Sequence, residues 1–597
     1  MSKNLPKRNE VPEKDTWKLE DIFATDALFS ETLARIKEEI PPCKSYEGNL
    51  LHSGNVLFEF LKVQDHLAQE VNKLYVYSHM RLHQDGQNAL YQDFANQTEL
   101  LSVQLSEALA FVQPELSGLT PDKLQTLCEE APALTLYTRY LQEILRQKMH
   151  ILDSKTESLL AKVSELADAP HNIFAMFNNV DLSFPLIKDD KGEEVRLTHG
   201  TYIPFLESRN REVRKGAFNA LYETYSHYKN MLATTFAANV KQYGLFSSVR
   251  GFETPLHYAL SANNIPTKVY ENLITTVNQN LDLLQDYMAL RKNLLEVDTL
   301  HMYDLFTPMV KNFELKISYE EACDIILKAL APLGEDYIGR VRQGFNERWV
   351  DKYENEGKRS GAYSWGCHGI PHPYILMNYV DNLSNLFTLA HEMGHAMHSY
   401  YSHKEQPFIY SDYCIFVAEV ASTVNEALLM QYLLKTVTDP LYKEYLLNYF
   451  MEQFKSTLYR QTMFAEFERD VHLMNQEGKT LTSQLLCSHY LSLVKKYHGE
   501  GVNVDALIEN EWARIPHFYT PFYVYQYATG YSAAIALSTR ILEEGEPAVK
   551  DYLHFLKGGS SKDPIDLLKA AGVDMSTPLP IEKALHTLKK VMEEMKS

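Results

Sequence analysis

The sequence predicts a mainly α-helical fold with two or more packed lobes, and three observations support it. Long stretches, such as 52–165 and 202–300, repeat apolar residues at helical spacing and contain few glycines or prolines. A chain of 597 residues exceeds the size at which a single hydrophobic core stops growing. The sequence shows no internal repeat, which argues against a solenoid. We therefore expect a helical protein with more than one core.

Two short passages predict the β structure of this fold. The segment "VDLSFPLIKDDKGEEVRLTHG", 180–200, has two alternating arms around Asp190, Lys191 and Gly192, which is typical of a hairpin. The segment "GAYSWGCHGIPHPYILMNY", 361–379, joins a glycine-rich turn to a run rich in tyrosine, which predicts a hairpin or an edge strand. We place a domain boundary at the first hairpin, between an N-terminal helical domain at 1–195 and a second domain at 196–597.

Composition limits the classes of partner. The chain carries 58 basic and 78 acidic side chains, a formal net charge of -20, which repels nucleic acids and anionic membranes. No stretch approaches roughly eighteen uninterrupted apolar residues, and the first residues lack the apolar core of a secretion signal. Six cysteines without a CxxC pair fit a reducing compartment. We expect a soluble cytoplasmic protein without a membrane, nucleic-acid or obligate protein partner, and we expect the charge-rich stretch 352–361 to be a solvated loop.

The stretch "TLAHEMGHAMHSYYS", 388–402, places His391, Glu392 and His395 in the pattern HExxH. Asp381 or Asn382 can cap a helix whose apolar positions lead into this pattern. On a helix the two histidines lie about 40° apart and can reach one ion, whereas Glu392 points about 100° away from His391, towards a catalytic water. The alternative is a solvated helix face that is rich in histidine.

Neighbouring positions refine this interpretation. Gly394 costs about 1 kcal/mol in a helix relative to alanine, so we expect another backbone or helix to pack closely against it. His398 and Tyr401 stand where metzincins require a glycine and a third histidine, which excludes that class. His398 also lies about 10 Å from His391 by helical rise, so we expect it to support the site or to pack rather than to bind the ion.

A third ligand is needed, because catalytic zinc sites use three protein groups. The helix predicted for "YCIFVAEVASTVNEALLMQYLL", 413–434, offers Glu419, Ser422, Thr423 and Glu426 on one face of an otherwise apolar segment. Buried carboxylates are costly unless they are paired or bound to a metal. We therefore predict Glu419 as the third ligand of a zinc ion, although cobalt or manganese could occupy the same site.

The aromatic run "ENEWARIPHFYTPFYVYQYATGYSAA", 509–534, surrounds His517 with tyrosines. Hydrolysis of an amide needs hydrogen-bond donors for the developing oxyanion, and a neutral tyrosine or histidine supplies one. Tyr523, Tyr527 and Tyr531 are predicted on one helical stripe. A donor cluster and an aromatic core segment both remain open as interpretations.

Together these residues resemble the thimet-oligopeptidase-like family of zinc metallopeptidases, in its oligoendopeptidase F branch. The matching passages are "GKRSGAYSWG", "HPYILMNYVDNL", "TLAHEMGHAMHSYYS", "VAEVASTVNEALL", "RIPHFYTPFYVYQYATGYSAA" and the amino-terminal "RNEVPEKDTWKLEDIF". The resemblance spans nearly the whole chain. It implies a two-lobed helical fold with a deep central channel, a small β element beside the active site, and cleavage of short unstructured peptides.

The resemblance also implies residue roles. One Zn²⁺ would be bound by His391, His395 and Glu419, with Glu392 as general base. The site would be supported from outside the ligand set by Glu426 and His398.

Substrate contacts are implied in the same way. The oxyanion would be stabilised by His517, Tyr523 and Tyr527. Compared with animal members, the spacing from His517 to the next aligned tyrosine is one residue longer, so Phe522 and Tyr523 compete for the first position, and we favour Tyr523 and Tyr527. Substrate would be bound by Tyr531 and by a strand that pairs with an extended peptide and carries Tyr374, Leu376 and Asn378.

Two other functions are considered. An exo-acting zinc carboxypeptidase needs a cation for the terminal carboxylate, for which Arg514 is a candidate. A non-catalytic peptide-binding protein would keep the fold without turnover, but the intact HExxH and Glu419 count against it.

Overall fold

The computed structural model describes residues 5–310 and 315–596, and helices dominate them. In these residues the α-helices, numbered α1 to α24 in chain order, are Asp26–Glu39, Gly54–Gln84, Ala89–Ala108, Val112–Leu116, Pro121–Glu130, Thr138–Gln147, Ser154–Ala167, Ala169–Met176, His199–Leu206, Arg211–Val249, Pro255–Ser261, Thr267–Asn278, Leu281–Leu294, Tyr319–Ala329, Glu335–Asn346, Leu383–Glu405, Ile415–Thr436, Pro440–Gln453, Arg460–Gln476, Ser483–His498, Tyr525–Glu544, Glu546–Leu556, Pro564–Ala570 and Leu579–Lys596. The predicted fold class is confirmed. Among the described residues no helix is both long enough and apolar enough to cross a bilayer.

The strands of the described residues are short. Numbered β1 to β7, they are Leu186–Lys188, Glu194–Arg196, Leu300–His301, Val350–Asp351, Tyr363–Trp365, Tyr374–Leu376 and Val502–Asn503. Strands β1 and β2 pair antiparallel, which confirms the predicted hairpin. Strands β4, β6 and β5 form a three-stranded sheet in that order, parallel between β4 and β6 and antiparallel between β6 and β5.

The chain forms two compact units, and each draws on three separate segments. Unit 1 contains Met1–Ile151, Glu314–Tyr432 and Leu537–Val573, and unit 2 contains Leu152–Phe313, Leu433–Ala536 and Asp574–Ser597. The predicted division at residue 195 follows the chain order and stays a prediction, as does the central channel.

A buried charge cluster ties the first residues of unit 1 to its three-stranded sheet. The Asp351 carboxylate of β4 is 1% exposed and lies 2.6 Å from Lys358 Nζ, whose side chain is fully buried. The same carboxylate accepts hydrogen bonds from Arg8. Burial raises the pKa of Asp351, but Lys358 and Arg8 outweigh this effect and lower it. The expectation of a solvated loop at 352–361 is therefore wrong at Lys358.

Unit 2 is organised around α10, the long helix Arg211–Val249. Its Arg214 pairs with the fully buried Asp304 at 2.7 Å. Further along the chain, the buried Glu511 accepts hydrogen bonds from Tyr222 and Tyr490. Each buried carboxylate therefore has partners that offset the loss of its hydration.

Candidate metal centre and active site

Helix α16, Leu383–Glu405, carries the HExxH pattern through the core of unit 1. Asn382 caps it, because its side-chain oxygen accepts the Asn385 N–H at 2.8 Å, which confirms one of the two predicted caps. The residues of the pattern differ in burial: Glu392 is 7% exposed, whereas the His391 and His395 side chains are 26% and 18% exposed. Both imidazoles therefore remain partly accessible.

Three ligand atoms converge at one point of unit 1. The Nε2 atoms of His391 and His395 lie 3.1 Å apart, and Glu419 Oε2 of α17 lies 3.3 Å from the first and 3.5 Å from the second. The described residues contain this one group of three metal-ligating side chains whose ligand atoms all lie within 4.8 Å of one another. The residues predicted as ligands from the sequence are thus brought together, and their role as ligands stays a prediction.

Ser422 and Glu426 contact this group from one and two turns further along α17. His391 Nδ1 is hydrogen-bonded to Glu426 Oε1, so Nε2 is the nitrogen that faces Glu419 and His395. The Ser422 hydroxyl donates to Glu419 Oε2 at 3.2 Å. The polar stripe predicted on this helix therefore faces the histidines.

The charges of the group compensate one another. Burial raises the pKa of Glu419, but the hydrogen bonds from His391 and His395 outweigh it and lower this pKa. Burial lowers the pKa of His391, but its hydrogen bonds to Glu419 and Glu426 outweigh that effect and raise it. Carboxylates thus dominate the environment of the imidazoles, which favours a cation at this point.

Gly394 sets the distance between the two helices. A Cβ at this position would lie 2.5 Å from Ser422 Cα and 2.7 Å from the Ala421 carbonyl oxygen. One turn away, the Asn425 side chain donates to the Ala390 carbonyl at 3.1 Å and accepts from Tyr337 at 3.0 Å. The close packing expected at Gly394 is confirmed, and Asn425 is a connecting residue that the sequence did not reveal, because an asparagine inside a polar stripe has no distinctive spacing.

Glu392 lies close to the edge strand of the sheet. The backbone N–H of Ser364 in β5 is near enough to the Glu392 carboxylate to lower its pKa. Burial raises the pKa of Glu392, and Glu419 adds to this, whereas His391, His395 and the Ser364 N–H lower it; the net direction is upward. A buried carboxylate with a raised pKa beside the ligand group suits a base that accepts a proton and returns it.

Strand β6, Tyr374–Leu376, was expected to pair with an extended peptide, and this expectation is wrong. The Ile375 N–H donates to Trp349 and the Met377 N–H to Asp351, so one edge of β6 is paired with β4. Its other edge is paired with β5. Tyr374 and Leu376 are fully buried, and their contact with substrate stays a prediction.

The neighbouring Asn378 donates to the Arg359 and Gly361 carbonyls at 3.0 and 2.8 Å. It therefore holds the segment that leads into β5, and its contact with substrate stays a prediction. Strand β5 lies at an edge of the sheet, because the strand order is β4-β6-β5. Antiparallel pairs alternate, so the backbone N–H and C=O of Ser364 point away from β6.

His398 belongs to an aromatic stack in unit 1. Its ring lies 3.7 Å from the Tyr413 ring at an angle of 4°, and the Tyr413 hydroxyl lies 2.9 Å from Ser399 Oγ. Burial lowers the pKa of His398 to about 3, so the ring is neutral. His398 lies outside the converging group, and its supporting role stays a prediction.

His517, Tyr523 and Tyr527 form an aromatic cluster in unit 2. The His517 ring lies 6.0 Å from Tyr523 and 5.9 Å from Tyr527, and the Tyr527 hydroxyl is 3.5 Å from His517 Nε2. Helix α21 begins at Tyr525, so the single helical stripe predicted for the tyrosines is wrong: Tyr523 lies in the preceding turn. Tyr531 lies on the helix but is 4% exposed and packs on Phe454, and its contact with substrate stays a prediction.

The turn before this helix contains a conformation that the sequence did not reveal. Phe522 has a φ of 59°, which costs a residue with a Cβ about 1–2 kcal/mol. Its N–H donates to Oε1 of the fully buried Glu468 at 2.8 Å. Burial raises the pKa of Glu468 well above its usual range. Glu468 thus fixes the backbone next to Tyr523.

Arg514, the candidate cation of an exopeptidase, is already engaged in unit 2. It lies 3.4 Å from Glu511 and 5.5 Å from the Tyr202 ring. A guanidinium in these contacts is unsuited to receive a terminal carboxylate.

Comparisons with known proteins agree with this site. The model of peptidase family M3 matches residues 205–587, and the model described as oligopeptidase F matches residues 115–184. Oligopeptidase PepF of Bacillus subtilis is 50% identical over 591 residues, which cover 99% of this chain and 88% of the relative. The oligoendopeptidase F structure from Enterococcus faecium has a TM-score of 0.74 and 37% identity, and the match covers 96% of this chain and 98% of that one. A solved structure from Chlamydophila abortus has a TM-score of 0.94 and 35% identity, with 99% of each chain covered.

The helical fold, the His-His-Glu group and these matches define a metallo-endopeptidase. More narrowly, the chain belongs to peptidase family M3, which confirms the resemblance seen in the sequence.

Proposed function

We propose that the protein is a zinc-dependent endopeptidase that hydrolyses short unstructured oligopeptides, with His391, His395 and Glu419 as ligands of one Zn²⁺ and Glu392 as general base. The observation that carries this proposal is the convergence of the three ligand atoms beside the buried Glu392 carboxylate. The oligopeptidase names of the relatives support the substrate class.

The ligand atoms fit a zinc ion. Ligands at 2.0–2.1 Å around a tetrahedral zinc lie about 3.3 Å apart. The three separations in the group are 3.1, 3.3 and 3.5 Å. Two imidazoles and one carboxylate also form a ligand set that catalytic zinc sites use, with the fourth position left for water.

The chemistry divides between the ion and the side chains. A bound Zn²⁺ supplies a Lewis acid that acidifies water and polarises the scissile carbonyl. Glu392 takes the proton of the attacking water and returns it to the leaving amine, and its buried position beside the ligand group suits both transfers. Glu426 keeps the Nε2 lone pair of His391 available by holding the opposite nitrogen.

Strand β5 replaces β6 as the proposed substrate strand. An extended peptide pairs with a free sheet edge through main-chain hydrogen bonds. Ser364 faces away from β6 and contacts Glu392, so a peptide beside β5 lies next to the general base.

The proposal assigns His517, Tyr523 and Tyr527 as donors to the oxyanion. Their support is chemical, because an imidazole N–H or a phenol hydroxyl can donate a hydrogen bond, and the three rings lie 5.4–6.0 Å from one another in unit 2. Tyr527→Phe is expected to lower kcat while KM changes little, since the lost hydrogen bond would form in the transition state.

The test combines metal analysis with a digest of an end-blocked peptide library. The parent protein is expected to bind one zinc per chain and to cleave internal bonds. Glu392→Gln should bind the same amount of zinc and lose turnover by a factor of at least about 10³. Cleavage by Glu392→Gln at the parent's rate would contradict the assignment, and products cut only from free ends would point to an exopeptidase.

A further inference from the structure

A cavity of about 400 Å³ lies along the edge strand of unit 1. Three segments line it: α2 with Tyr75, His79 and His83, the approach to β5 with Arg359, and β5 itself with Tyr363, Ser364 and Trp365. The Ser364 N–H also lies near enough to the Glu392 carboxylate to lower its pKa. The cavity therefore shares Ser364 with the surroundings of the proposed general base.

Aromatic rings form the walls of this cavity. Tyr75 stacks on His79 with ring centres 3.8 Å apart, and the Trp365 ring lies 6.1 Å from both Tyr75 and His83. Such walls exclude water from one side of a bound group and strengthen the hydrogen bonds that it receives.

Arg359 brings a positive charge to the cavity. One of its guanidinium nitrogens donates to His83 Nε2 at 2.9 Å, and the group lies over the Tyr363 ring at 5.6 Å. Within residues 5–310 and 315–596, no carboxylate lies at ion-pair distance from Arg359. Most of its five N–H donors therefore remain available for a ligand.

The Tyr363 hydroxyl is a second donor in the cavity, and its contact with His83 leaves it free to donate. A guanidinium can only donate, so His83 Nε2 is the acceptor and the proton of the neutral ring is on Nδ1. Nδ1 lies 2.7 Å from the Tyr363 hydroxyl and donates to it, which leaves the Tyr363 O–H free to donate. Burial and the neighbouring Arg359 lower the pKa of His83 to about 4, and burial raises that of Tyr363, so both protonation states hold at neutral pH.

We propose that this cavity is a substrate subsite in which Arg359 and Tyr363 bind a carboxylate group of the peptide. A planar guanidinium next to a hydroxyl donor, with aromatic walls, matches a carboxylate in charge and in hydrogen-bonding pattern. The carboxylate comes from an acidic side chain or from the carboxyl terminus of a short peptide. The inference rests on the proposed function, since the subsite serves the same peptide that Glu392 hydrolyses.

The experiment compares matched quenched peptides. One pair has blocked ends and differs only by Glu or Gln at a single position, scanned along the peptide; the other pair differs only by a free or an amidated carboxyl terminus. The parent is expected to cleave the carboxylate member of one pair with a kcat/KM about tenfold higher, as charge-assisted hydrogen bonds allow. Arg359→Gln should reduce this ratio to about one, and Tyr363→Phe should reduce it in part.

Two further variants separate recognition from structure. Arg359→Lys keeps the charge and should retain part of the preference. Arg342→Gln changes an exposed arginine of the same unit outside the cavity, and it should leave the preference unchanged. Equal cleavage of both members of both pairs by the parent would overturn the proposal, and so would a preference that survives Arg359→Gln.

A binding measurement distinguishes failure of the carboxylate subsite from failure of the proposed endopeptidase function. The same peptides are titrated into Glu392→Gln and into Glu392→Gln with Arg359→Gln, so no turnover is needed. Carboxylate-dependent binding that disappears with Arg359 supports the subsite even if the parent cleaves nothing, which would refute the proposed function alone. Equal binding of both members of each pair to Glu392→Gln would refute the subsite, whatever the parent cleaves.

Discussion

Replacing Gly394 by alanine tests whether the contact between α16 and α17 holds the metal ligands together. The new Cβ would lie 2.5 Å from Ser422 Cα, and ordinary contacts begin at 3.4 Å, so α17 has to move by about 0.9 Å. Its neighbours are backbone atoms, which cannot rotate away. Glu419 and Glu426 move with the helix, whereas His391 and His395 stay on α16.

The expected effect on metal binding is large and the effect on folding is moderate. Metal sites require ligand distances within about 0.2 Å of their ordinary values, so a shift of this size removes Glu419 from the ligand set. Overpacking costs about 1–3 kcal/mol, and the gain in helix propensity from glycine to alanine returns about 1 kcal/mol. We expect Gly394→Ala to fold, with a zinc affinity at least about 100-fold weaker than that of the parent.

The assay is a competition for zinc between the metal-free protein and a chromophoric chelator, combined with thermal unfolding of the same samples. Gly339→Ala in α15 is the matched control, because a Cβ there has no atom within 4 Å. This variant should gain about 0.5–1 kcal/mol of stability and bind zinc as the parent does. A folded Gly394→Ala with the parent's zinc affinity would refute the reasoning.

Three further predictions concern the surroundings of the site. Glu426→Gln should weaken zinc binding about 10- to 100-fold in the same chelator assay, because His391 loses the carboxylate that orients it; unchanged affinity would exclude this role. Glu468→Leu should lower kcat about tenfold, because the buried Phe522 N–H loses its acceptor, whereas the isosteric Glu468→Gln should retain activity. Equal rates in the two variants would contradict the role of Glu468 in holding the turn before Tyr523. Asp351 has a lowered pKa, so its ionised form stabilises the fold above the unfolded-state pKa of about 4, and this stabilisation is lost as the pH falls through the folded-state pKa. Asp351→Asn should therefore lower the free energy of unfolding by about 3–5 kcal/mol at pH 7. Urea unfolding of this variant should also depend less on acid pH than that of the parent.

The sequence predicted that His391, His395 and Glu419 converge, because helical geometry relates residues that are close in sequence. Both His391 and His395 lie on one helix, and the polar stripe with Glu419 and Glu426 lies on the next. In each case 3.6 residues per turn fixes which side chains share a face. Gly394 was informative for the same reason, since a glycine inside a helix has a cost that needs a structural explanation.

Prediction failed where pairing between distant segments decides the geometry. The run 374–376 has the composition of a strand, but the sequence does not show that β4 and β5 occupy both of its edges. The Ser364 contact with Glu392 is made by a backbone N–H, which leaves no mark on residue type. Likewise, Glu468 resembles any helical glutamate until the fold buries it beside Phe522.

The two halves of the proposed chemistry are held by different kinds of contact, and this difference can be measured. The proposed ligands lie on helices that touch backbone to backbone at Gly394, so their positions depend on rigid packing. The proposed donors Tyr523 and Tyr527 flank the start of a helix, next to a turn that one buried hydrogen bond to Glu468 holds. A change at Gly394 should therefore lower zinc affinity and turnover together, whereas Glu468→Leu should lower turnover and leave zinc affinity unchanged. Loss of zinc in Glu468→Leu would show that the two sets of residues are not independently supported.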